Sequence, residues 1–124
     1  AALIGPEHFR RYVVPALERE AAYLKHTVYH LDGPECLVHL ADLCAIPGLD
    51  CIQWVCGARN KPFGEWMDLL KEIQSKGVAV WIPCNAESIK VFHRELDPRL
   101  LFYCCSVRTQ AEGEGVLRWL VQNT

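Results

Sequence analysis

Apolar positions along the chain change their spacing several times, and the changes divide it into helices and strands. From Pro6 to His26, Phe9, Val13, Leu17 and Leu24 recur at helical intervals, with Arg10, Arg11, Glu18, Arg19 and Lys25 largely on other faces. Pro6 suits a first helical turn, whereas Pro15 removes an internal hydrogen bond and predicts a kink. "TVYHLDG" then reads as a strand closed by Gly33-Pro34, and "ECLVHLADLCAI" as a helix broken at Pro47-Gly48. "LDCIQWVCG" is a second strand. "GEWMDLLKEIQSKG" is a helix that buries Trp66, Leu69, Leu70 and Ile73 and ends at Gly77 in a left-handed cap. "VAVWIPC" is the third strand, and Asn85 can cap a short helix over "AESIKVFHREL". "LLFYCCSV" is the fourth, after which Thr109 and Glu112 match a T-x-x-E capping box opening a last helix through Trp119 and Leu120.

A leading helix over residues 1–27 is thus followed by four βα units over residues 28–124, all in one domain. Short, mostly apolar strands alternating with helices predict an α/β fold with a parallel sheet and crossover helices. Right-handed crossovers leave two architectures: parallel βα units forming half of a TIM (β/α)8 barrel, or an open parallel α/β sheet.

Composition narrows the setting. An apolar fraction of 51% and a charged fraction of 23% suit a soluble globular chain. The net charge of −2 carries no basic stripe, which argues against nucleic acid or an anionic membrane surface as partner. No apolar run approaches the roughly 18 residues of a membrane-spanning helix, and no basic segment leads into an apolar core as in a secretory signal. The seven cysteines, at 36, 44, 51, 56, 84, 104 and 105, are odd in number, lack a C-x-x-C pair and mostly sit in apolar runs. They predict a reducing, cytoplasmic setting in which most serve as small apolar core residues.

In either architecture ligands bind at the C-terminal ends of the strands. Those ends carry His30 and Asp32; Gln53, Trp54 and Cys56; Cys84 and Asn85; and Cys105, Ser106 and Arg108. His30 and Asp32, at i and i+2 of one strand, project from the same face. They form a polar pair for acid/base work, since a carboxylate beside an imidazole fixes its orientation. With Cys105 they are also a candidate zinc set of imidazole, carboxylate and thiolate. The competing reading makes His30 a hydrogen-bonded core histidine and Asp32 a turn cap. Gln53, Trp54, Asn85 and Arg108 are the candidate substrate-binding residues, Trp54 either stacking on a planar ligand or filling the core. His39 and His93, on helices, read as solvated or capping residues.

Taken together, "GPEHFRRYVVPALEREAAYLK", "YHLDGPE", "IPGLDCIQWVCGA", "EWMDLLKEIQSKG" and "LLFYCCSV" resemble the C-terminal half of the uroporphyrinogen decarboxylase superfamily. Within it they are most similar to the corrinoid-linked methyltransferase-like branch. The resemblance implies a (β/α)8 barrel and either methyl transfer or decarboxylation. For the methyltransferases it implies a zinc held by a His-x-Cys pair and a later Cys, with the corrinoid on a separate partner protein. Here the pair reads His30-Leu31-Asp32, so His30 matches and Asp32 stands in for the thiolate; the later cysteine corresponds to Cys104 or Cys105, with Cys84 a further alternative. A closed barrel takes about 250 residues, so the chain is expected to need its missing N-terminal half or to self-associate, as in a homodimer. A non-catalytic, self-associating half-barrel, serving as an assembly or binding module, is the alternative function.

Overall fold

The computed structural model describes residues 2–124 and has the expected class: α/β, with one four-stranded sheet, every pair parallel, in the order β1-β2-β3-β4. The strands are β1 (Val28–Asp32), β2 (Cys51–Val55), β3 (Ala79–Asn85) and β4 (Leu101–Ser106). The helices are α1 (Pro6–His8), α2 (Val14–Tyr23), α3 (Leu40–Cys44), α4 (Met67–Ser75), α5 (Ser88–Glu95) and α6 (Gln110–Asn123).

Pro15 leaves its mark one turn upstream. Between α1 and α2 the chain makes a π-helical turn over Phe9–Val13, in which the Val14 N–H donates to the Phe9 carbonyl. The wider turn relieves the clash a proline ring makes with the carbonyl four residues before it. Two other predicted helices begin as 3-10 turns, Pro34–His39 before α3 and Phe63–Trp66 before α4. Gly77, at φ 79°, ends the α4 segment as expected, its N–H donating to the Gln74 carbonyl at 2.9 Å. The Thr109 hydroxyl accepts the Glu112 N–H at 3.2 Å, while the Glu112 carboxylate reaches one residue beyond the cap, to the Arg108 N–H at 2.7 Å.

Strand alternation divides the sheet into unlike faces. Leu31, Ile52, Trp54, Val80 and Ile82 point toward the helices and join Leu43, Leu70, Ile73 and Phe92 in one core. A sequential parallel order with right-handed crossovers puts successive helices on one side, and among the described residues the other face is largely open: Val28 and Phe102 are each 51% exposed, with Val28 and His30 also lining a pocket beside α2. At the lower edge, the Thr27 hydroxyl donates to the Gly48 carbonyl and accepts from the Asp50 N–H, tying the entries of β1 and β2. His39 and His93 correct the expectation of solvated helix residues. His39 is buried and stacked on Phe9 with rings 4.0 Å apart, and His93 is buried behind α6.

β1 ends at Gly33, whose φ of 85° and ψ of 150° belong to a region that side chains rarely enter. A Cβ there would also meet the Glu35 carboxylate at 2.8 Å. Gly33→Ala is expected to cost about 1–3 kcal/mol, read as a lower urea midpoint at unchanged slope.

Candidate functional site

The uncovered face carries the polar residues that strand parity permits. In β1 these are His30 and Asp32; in β2, Gln53 lies level with His30. His30 Nδ1 and Gln53 Oε1 are 2.7 Å apart. With the amide oxygen toward the ring, Nδ1–H donates and Nε2 is left as the free basic nitrogen. Asp32 is exposed one step nearer the strand ends and forms no ion pair among the described residues. The same row continues through Trp81 to Phe102, whose rings meet edge to face at 4.7 Å. One register row therefore runs from an imidazole and an amide to an indole and a phenyl ring. Trp81 was missed from sequence, although its alternation with Val80 and Ile82 marks it as opposite to the core.

The other candidates lie elsewhere. Trp54 is 1% exposed on the helix side, edge-on to Trp66 at 4.9 Å, and belongs to the core. Cys105 is also on the helix side, lining a groove with Tyr103 and Leu117 beneath α6; Cys104 shares the face of His30, but three strands away. Asn85 ends β3 and spends its carbonyl on the N–H groups of Glu87 and Ser88, at 3.0 and 2.8 Å, where the chain enters α5. Arg108 lies past the end of β4, in a polar cleft of about 310 Å³ with Ser106 and Glu112. The polar residues thus form two groups, one on β1 and β2 and one beyond β3 and β4.

The zinc set implied by resemblance is not assembled. His30 and Asp32 lie on one face and Cys105 on the other, and Nδ1 of His30 faces Gln53. Among the described residues no group of three His, Cys, Asp or Glu side chains is placed to hold a metal. No family model, curated protein or solved structure matches this chain. Among the described residues no helix is long and apolar enough to cross a membrane.

The described cysteines are all free thiols. Burial, then the charge of Asp50, pushes Cys51 up to about 11; burial, then Cys105 and Cys104, pushes Cys84 up to about 12. Burial, then Cys84, raises the Tyr103 hydroxyl to about 12. Each group favours its protonated form in the fold, so its contribution is complete below its ordinary value, 9.0 for the thiols and 10.0 for the tyrosine, and is lost as pH climbs toward 11–12. The urea midpoint is expected to be level to about pH 8.5 and to fall beyond it. Cys51→Ala with Cys84→Ser should flatten that fall.

Proposed function

We infer that the chain is the C-terminal half of a uroporphyrinogen decarboxylase-like (β/α) barrel. It binds substrate on the uncovered face, along the row from His30 to Phe102 and toward the C-terminal end of β1. The observation that carries this reading is the His30–Gln53 pair, beside Asp32, on the open face of a parallel sheet in sequential order. A doubly wound sheet reverses its strand order and has helices on both faces; a barrel arc does neither. Under this reading, Gln53 orients the imidazole, Nε2 takes or gives a proton, and Asp32 offers an acceptor to a donor group of the substrate. The Trp81–Phe102 corner covers the substrate's apolar part. Methyl transfer, with the corrinoid on a separate protein, is the reaction the resemblance favours, and decarboxylation the second.

Elemental analysis after purification in excess zinc tests this. Zinc well below one per chain, unchanged in His30→Ala, is the expected result. One zinc per chain, lost on that substitution, would restore a metal centre at His30 and overturn the substrate-holding role.

A further inference from the structure

Four of the seven cysteines lie in strands, and the sheet sets two of them opposite each other. Cys84 of β3 is level with Cys105 of β4, whereas Cys51 is level with Val28 and Ala79, and Cys104 with Pro83. Parity puts the pair on the helix side, because Cys84 follows Val80 and Ile82 at two-residue steps and Cys105 follows Tyr103. Both thiols are free and half-buried. Cys105 lines a groove of about 230 Å³ between α5 and α6, with Ile89, Tyr103, Val116 and Leu117, which gives a small reagent a way in. Cys84 packs against the core. Its thiol is pushed up to about 12, by burial first and then by Cys105, to which it is hydrogen-bonded.

Directly opposed residues of neighbouring strands sit about 4.8 Å apart. That separation falls within the roughly 4.4–6.8 Å that a disulfide spans between Cα atoms, and short of the usual value of about 5.5–6 Å. A bond between these residues needs little backbone movement to close, and it opens more readily than one at the usual spacing.

We propose that Cys84 and Cys105 form a reactive dithiol that is oxidised by a small-molecule disulfide of the glutathione type and closes a reversible bond between β3 and β4. Cys105, on the groove, attacks as thiolate. Its sulfur bonds to one sulfur of glutathione disulfide, the original S–S bond breaks, and one glutathione leaves and takes up the proton Cys105 has shed. Cys84 then attacks the Cys105 sulfur, the mixed disulfide breaks, and the second glutathione leaves with the Cys84 proton. The two protein thiols lose two electrons, which reduce glutathione disulfide to two glutathione thiols. Once Cys105 is in the mixed disulfide it no longer carries charge, so its share of the push on Cys84 disappears and the second attack becomes easier.

The bond would lie one residue below a polar cleft. Asn85 and Ser106, the next register partners, line that cleft with Arg108, so oxidation ties its floor together. The pairing of β3 with β4 is the same in an open sheet and in a barrel arc, and the site stands apart from the half-barrel reading.

The test uses the full chain, folded, with excess glutathione disulfide at about pH 8, where thiolate is more abundant. Remaining thiols are alkylated, and a tryptic digest is read without reduction. Peptide 77–90 is expected to be joined to peptide 100–108, both in the natural sequence and in Cys104→Ser, and to separate again after excess reduced glutathione. Cys84→Ser together with Cys104→Ser should instead hold one glutathione on peptide 100–108, because the second thiol is gone. Fragmentation of the joined pair between Cys104 and Cys105 assigns the bond without any substitution, so a variant that fails to fold does not decide the matter. Assignment to Cys104, glutathione persisting on Cys105 of the natural chain with no joined peptide, or no reaction at Cys105 would each overturn the proposal.

Discussion

Trp54→Ala is expected to lower the unfolding free energy by about 3–5 kcal/mol, a large share of the roughly 5–15 kcal/mol that holds a domain together. The indole is 1% exposed and shares the central core with Ile52, Val80 and Leu70. Its neighbours sit on rigid strands and on α4, so the space left by truncation cannot close fully. Its Nε1–H is buried with no hydrogen-bond partner among the described residues, and an unmet donor costs about 1–3 kcal/mol. Trp54→Phe removes that donor together with part of the ring. The two effects oppose each other, and the net cost should stay below about 2 kcal/mol. Urea unfolding followed by circular dichroism reads both variants without relying on the fluorophore being replaced. A loss under about 1 kcal/mol for the alanine variant would mean that the indole is not packed, and would return Trp54 to the ligand face.

Trp54 also marks how far sequence alone can go. Gln53 and Trp54 were both placed at the site, yet adjacent residues of a strand face opposite ways, and only one could serve. The choice was legible: "CIQWV" sets Ile52 and Trp54 on one parity and Gln53 on the other. The His30–Asp32 parity was legible in the same way, because both lie in one strand. Cys105 was not. Whether it shares a face with His30 depends on the register across β2 and β3, which the spacing of elements leaves open by one residue, and one residue exchanges the faces. Element order was readable because apolar periods and breakers such as Gly33-Pro34 and Gly77 act locally. The 3-10 openings before α3 and α4, and the burial of His39 under Phe9, arise from packing between distant segments. The T-x-x-E box at Thr109 lay between, with its position read correctly and the Glu112 partner displaced by one residue.

On the half-barrel reading proposed above, His30→Ala should leave folding nearly intact and remove most turnover once the other half of the barrel is supplied. The side chain is exposed and its one described hydrogen bond is to Gln53, so truncation should shift stability by less than about 0.5 kcal/mol. A positioned imidazole that moves a proton contributes roughly 10²–10⁴-fold to rate, and that is the expected fall, read as methyl transfer from methylcobalamin or as carbon dioxide release. Gln53→Ala keeps the base but frees both its ring rotation and its tautomer, so its loss should be smaller than that of His30→Ala. Gln53→Glu keeps an acceptor at the same place and should recover part of that loss, which a merely structural amide would not do. Asp32→Asn separates charge from shape: a substrate bound through a cationic or donor group should bind more weakly with kcat largely kept. Equal and complete loss in Gln53→Ala and Gln53→Glu would instead make the amide a direct substrate contact, and the imidazole would lose its role as the base oriented by that amide.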